Sequence, residues 1–137
     1  MARYLLDTNI VLFSLFSPKE LERRVSDLLN SYNNRLYVSS VSVQEIIHLY
    51  KRNKIRTNWK SPEEIIPDIE ALNFELLPVK REHLVTYSNL STAQSHNDPN
   101  DHVIISQAIT ERMTLISSDH EFGYYITQKL DFIFNSR

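Results

Sequence analysis

Four carboxylates in this chain sit where chemistry is cheap to build. Asp7 directly follows the apolar run Arg3-Tyr4-Leu5-Leu6, and Asp119 directly follows Thr114-Leu115-Ile116-Ser117-Ser118. Glu45 and Asp101 lie between them, each near the start of an apolar pattern of helical period. In an open parallel α/β sheet, ligands gather outside the carboxyl ends of the strands. Asp7 and Asp119, from opposite ends of the chain, can therefore meet over one cleft. Two carboxylates about 4 Å apart repel by roughly 4 kcal/mol at an effective dielectric near 20. No lysine or arginine adjoins any of the four in sequence to offset that. A hard divalent cation would, and oxygen-only ligands suit Mg²⁺ or Mn²⁺. Such ions bridge phosphate oxygens and activate water, so phosphodiester hydrolysis is the natural chemistry of the set.

Each acid also has a purely structural use. Asp7 and Asp119 stand between an apolar run and a helical pattern, where an aspartate serves as an N-cap. Glu45 follows Ser42 by three residues, the capping-box spacing. At 100° per residue, however, Glu45 lies about 200° around the helix from Val43, away from the apolar stripe. Asp98 and Asp101 are separable because Pro99 suits the first helical position, which makes Asp98 the cap. Asp101 then ends the stripe of Ile104, Ile105 and Ala108, where an uncompensated charge is costly. Asp101 is thus assigned to chemistry, with Asp98 mainly a cap and an outer ligand at most. Thr8, Asn9, Ser117 and Ser118 supply short polar groups that serve either local turns or the support of ligands.

The elements that must position these residues alternate. Strands are expected over 3–6, 36–38, 74–79, 114–117 and 131–134. Helices are expected over 9–15, from Pro18 to about Ser31, from Ser42 through Tyr50, from Pro62 to about Asn73, over 81–90, from Asp98 through Ile109, and over 120–128, with a polar loop at 91–97. Such alternation argues for a parallel sheet covered by helices on both faces.

Composition narrows the field. The 137 residues suit one domain, 1–137, with 42% hydrophobic and 23% charged residues. Cysteine is absent, which removes disulfides, thiolate zinc sites and thiol nucleophiles and fits a cytoplasmic setting. Asp7 interrupts the first apolar run, no signal peptide is expected, and no run is long enough to span a membrane. The single glycine, Gly123, leaves no glycine-rich phosphate loop or dinucleotide fingerprint.

The net charge of −2 offers no global attraction to nucleic acid, but the segment 51–60 is cationic. Lys51, Arg52, Lys54, Arg56 and Lys60 surround Trp59 with no acid among them. That run reads either as a solvated helix end or as an RNA-contacting ridge, with Trp59 stacking on a base. His48, His83, His96 and His120 make no zinc-like pair and are read as structural or solvent-facing.

Taken in order, Leu6-Asp7-Thr8-Asn9, Ser40 through Glu45, Asp98-Pro99-Asn100-Asp101 with its apolar helix, and Leu115 through Phe122 resemble the PIN-domain ribonucleases. The likeness is to the VapC-type toxins of bacterial toxin–antitoxin pairs and covers the chain from Arg3 to Phe134. It implies a three-layer α/β/α domain with a central parallel sheet and Mg²⁺- or Mn²⁺-dependent cleavage of RNA. It implies that Asp7, Glu45, Asp101 and Asp119 are the metal-holding and catalytic acids, supported by Asn9 and Ser117. It further implies a homodimer inhibited by a cognate antitoxin. Where similar sequences often carry arginine this chain has His102, read as a surface helix residue. Two alternatives accompany this reading. One is a PIN-like domain that binds RNA or protein without cleaving. The other is a phosphoryl-transfer protein using Asp7 as nucleophile, which Asn9 disfavours because phosphatases of that kind place a second acid there.

Overall fold

In the computed structural model, which describes residues 2–137, five strands form one sheet. They are β1 (Arg3–Leu6), β2 (Arg35–Ser39), β3 (Phe74–Leu77), β4 (Thr114–Ser117) and β5 (Asp131–Phe134). All neighbours pair in parallel, in the order β3-β2-β1-β4-β5. The expected α/β/α arrangement is the observed one. The order reverses beside β1, the kind of switch point where such sheets open a crevice. Among the described residues no helix is long and apolar enough to cross a membrane.

The strands alternate to feed two cores. Leu6, Val38 and Ile116 face one side, where they meet Ile10 and Val11 of α1 (Thr8–Phe16), Val25 of α2 (Arg23–Asn30), Val43 and Ile46 of α3 (Ser40–Lys51), and Ile65 and Ile69 of α4 (Ile65–Ala71). Leu5, Tyr37 and Leu115 face the other side. There they meet Ile104, Ile105 and Ala108 of α6 (Pro99–Glu111) and Phe122 and Tyr125 of a 3₁₀ helix, His120–Gln128. The remaining helix, α5 (Arg81–Asn89), packs on the outside of α6 through Thr86–Thr110 and His83–Glu111 hydrogen bonds of 2.6 and 2.7 Å.

Several expectations need correction. The helix expected from Pro18 is broken into a 3₁₀ turn, Pro18–Glu20, and α2, with Leu21 extended between them. The helix expected from Ser42 starts at Ser40, and Ser39 is its cap, accepting from the Val41 N–H at 3.0 Å. Ser42 is thus inside the helix, and the Ser42/Glu45 capping box does not exist. The helix expected from Pro62 is a capped 3₁₀ turn followed by α4.

His102 is buried, not a surface residue. With the sheet on one side and α5 on the other, α6 buries Ser106 and Gln107 as well as its apolar stripe, so the one-face periodicity argument fails there. Trp59 is also buried, with its ring edge-on to Phe16 at 5.0 Å and to Tyr50 at 5.9 Å. Its indole N–H donates to Asp68 at 2.6 Å. It closes the core over α1 and α3 and is not available to stack on a base. Replacing Trp59 with alanine is expected to lower unfolding stability by about 3–5 kcal/mol, the usual cost of deleting a buried aromatic. A denaturant titration reads this as an earlier midpoint, and a midpoint unchanged from wild type would contradict the placement.

Candidate metal centre

The β1 and β4 ladders carry their ends to one edge. Leu6 pairs with Ile116, and the Asp7 N–H continues that ladder onto the Ile116 carbonyl at 3.0 Å. Asp7 is therefore level with Ser117 and held by backbone before its side chain does anything. One Asp7 oxygen caps α1, accepting from the Thr8 N–H at 2.8 Å. The other accepts from the Ser117 hydroxyl at 2.8 Å. Ser117, fully buried, accepts in turn from the Asp119 N–H at 3.0 Å, so one hydroxyl joins the first acid to the last. Asp119 caps the 3₁₀ helix by accepting from Glu121 at 2.9 Å. Capping and site-building are thus not alternatives for Asp7 and Asp119. Each uses one oxygen as a cap, and the Ser117 hydroxyl spans the gap between them.

Glu45 reaches the same edge from α3. It accepts from the Thr8 hydroxyl at 2.7 Å, and that hydroxyl also lies 2.9 Å from the buried Ser42 hydroxyl. Ser42 thus supports the residue that holds Glu45. Asp101, one turn into α6, accepts from His96 Nε2 at 3.0 Å. His96 Nδ1 meets the Tyr125 hydroxyl at 3.0 Å, and that hydroxyl accepts from the Ala93 N–H at 3.1 Å. With Nδ1 engaged by the Tyr125 hydroxyl, the ring presents Nε2 to Asp101. His102 donates to the His96 carbonyl at 2.7 Å, locking the loop that carries it.

The electrostatics match a gathering of like charge. Asp7 is 5% exposed, and burial first, then the charge of Asp101, pushes its carboxyl up to about 7. Burial is also the main reason Asp101 rises to about 6 against the opposing His96 hydrogen bond. Glu45 is raised as well, again chiefly by burial. Among the described residues, the one basic-type side chain paired with any of these four acids is His96, on Asp101. Ligand atoms of His96, Asp101 and Asp119 all lie within 4.8 Å of one another. Carboxylate oxygens, with no ammonium or guanidinium paired to them among the described residues, form a donor set that suits a hard divalent cation.

The other expected site residues fall as follows. Asp98 caps α6, accepting from the Asn100 N–H at 3.0 Å, and stands exposed at the rim. Asn9 is exposed on the first turn of α1 and takes no part in the hydrogen-bond chain; its neighbour Thr8 does. Lys51, Arg52, Lys54 and Arg56 are exposed, whereas Trp59 is not. Tyr125 is absent from the sequence reading, while His96, expected to be structural or solvent-facing, and Ser42, expected to be a cap, support the site acids instead. His96 sits in a polar loop without periodicity, and only its position five residues before Asp101 hinted at a role.

The chain matches the family model for the PIN domain over residues 4–125. No curated protein matches it. Among solved structures, VapBC2 from Rickettsia felis, bound to a promoter DNA fragment, is 18% identical with a TM-score of 0.68, covering 98% of this chain and 99% of that one. VapBC-1 from nontypeable Haemophilus influenzae is 23% identical with a TM-score of 0.64, covering 96% and 97%. VapBC-5 from Mycobacterium tuberculosis, a member of the VapBC family of toxin–antitoxin systems, is 18% identical with a TM-score of 0.65, covering 98% and 99%. Likenesses at these identities speak to fold; the family match covers most of the chain, with the strand-end acids and the Asp101 helix inside it. The chain belongs to the PIN-domain family.

Proposed function

We propose that this protein is a divalent-metal-dependent endoribonuclease and the toxin of a bacterial toxin–antitoxin pair. The observation that carries the reading is Asp7, buried at a strand end beside Asp101 and Glu45 with, among the described residues, no basic side chain paired to it. A protein keeps so costly an arrangement where a cation completes it. Asp7, Glu45, Asp101 and Asp119 would hold Mg²⁺ or Mn²⁺. When bound, such an ion supplies charge neutralisation at the phosphate and a lowered pKa for water. The chain's own groups do the rest. Ser117 and Thr8 fix the directions of Asp7 and Glu45, and His96 fixes Asp101. The exposed Lys51, Arg52, Lys54 and Arg56 attract the RNA backbone toward an otherwise anionic edge. The neighbouring structures are VapBC complexes, which supports a cognate antitoxin as partner; a homodimer and a cytoplasmic setting complete the proposal.

Replacing Asp7 with asparagine is expected to reduce RNA cleavage in Mg²⁺ or Mn²⁺ to background. The same change removes a buried charge, so the metal-free variant is expected to melt no lower than wild type near pH 8. Undiminished cleavage by Asp7→Asn ends the assignment.

The pH dependence has a definite sign. Asp7 and Asp101 hold protons in the native state at pH values where the unfolded chain has lost them. Native stability without divalent ions therefore falls as pH rises from about 4 to about 7, at up to 1.4 kcal/mol per pH unit for each proton. Mn²⁺ binds the deprotonated acids, so it is expected to raise the melting temperature more at pH 8 than at pH 5. Thermal melts at both pH values with and without Mn²⁺ measure this. An equal shift at both, or none, contradicts the metal-site reading.

A further inference from the structure

A cavity of about 370 Å³ opens beside Glu45, lined by Gln44, Glu45, His48, Leu49 and Asn100. Its walls come from α3 and the first turn of α6. Gln44, His48 and Asn100 are exposed, and no part of the metal-site reading uses Gln44 or His48. We propose that this pocket takes one unpaired nucleobase of the RNA strand next to the scissile phosphate, and so sets the cleavage-site preference. The inference rests on the nuclease reading above.

The chemistry of the lining selects a base over a phosphate. No lysine or arginine is among these lining residues to grip a phosphate, so the strand's backbone does not belong in this cavity. The Gln44 and Asn100 amides each offer a donor and an acceptor, the complement of a base edge. His48 offers a planar ring for stacking and Leu49 an apolar floor, the combination by which single-stranded RNA is read. The volume lies at the low end for small-molecule sites and fits a base, not a folded element.

A second observation sets the path of the strand. Past the pocket, α3 runs out through Lys51 into Arg52, Lys54 and Arg56, all exposed and, among the described residues, without ion pairs. From Glu45 to Arg52 is about 10 Å along the axis at 1.5 Å per residue. One element thus presents, in order, a site carboxylate, a base-sized pocket and a cationic end. That order matches a scissile phosphate, its adjoining base and the next phosphates of a strand laid along α3.

The test uses Gln44→Ala and His48→Ala, both exposed helix positions that tolerate alanine. A random RNA pool is cleaved in Mn²⁺ and the ends are sequenced. Wild type is expected to favour particular bases at one fixed position beside the cut. The variants are expected to lose about tenfold of that preference, equivalent to ~1.4 kcal/mol, as cleavage of the favoured sequences falls toward that of the others. Variants with the wild-type pattern overturn the proposal while leaving the nuclease reading intact. So do variants equally crippled on every sequence, and variants that alter only inhibition by the antitoxin, which would make the pocket a protein-docking site. A second measurement separates this from failure of the nuclease reading. Fluorescence anisotropy follows Asp7→Asn protein binding short single strands that differ at one base. Base-dependent affinity that His48→Ala abolishes supports the pocket, and base-independent affinity overturns it, whether or not wild type cleaves.

Discussion

A buried carboxylate among other carboxylates is the constraint around which this molecule is arranged. Asp7 is 5% exposed, and its charged form is opposed by burial and by Asp101 and Glu45. Isolated burial of such a charge would be prohibitive. The fold offsets part of the cost with fixed dipoles. The Thr8 N–H at the start of α1 and the Ser117 hydroxyl each donate to one oxygen. A carboxylate at a helix N-terminus is also favoured by the helix dipole. These contacts reduce the penalty without cancelling it, because the carboxyl still sits at about 7. The remainder is the strain that a cation would relieve.

The sheet makes this gathering possible. Only in parallel, in-register strands do the carboxyl ends of β1 and β4 reach the same edge at the same level. A slip of one residue would send Leu5 and Leu6 to the wrong cores and turn the strand-end side chains over. Register is therefore set by hydrophobic burial on two faces, and the site inherits its precision from that. The C-terminus adds a clamp. Buried Asn135 donates to the Glu20 carbonyl and the Ser118 hydroxyl and accepts from the Glu22 N–H. It thereby ties the loop that leads into Asp119 to the turn before α2.

Sequence reasoning was strongest where one physical signal dominates. The strands at 114–117 and 131–134, and the Asp98 cap with Pro99 beginning α6, match the observed elements because alternation, burial and proline geometry all agree there. It failed where a second layer intervened. His102 is buried because α5 covers α6, and Trp59 because a loop folds back over α1 and α3; neither fact is visible in local periodicity. Ser42 was mistaken for a cap because spacing alone cannot distinguish Ser39 from Ser42 as the start of α3.

The sequence by itself determined the alternating α/β pattern, the acids at the strand ends and the absence of glycine loops and thiols, because residue type and spacing act locally. Tertiary structure alone decided which polar groups complete the acid cluster. Ser117 bridges Asp7 to the Asp119 backbone, Thr8 reaches across to Glu45, and Tyr125 aims His96 at Asp101. These partners are up to 110 residues apart in the chain. Hydrogen bonds at such separations follow from the packing of strands and helices, which no short stretch of sequence encodes.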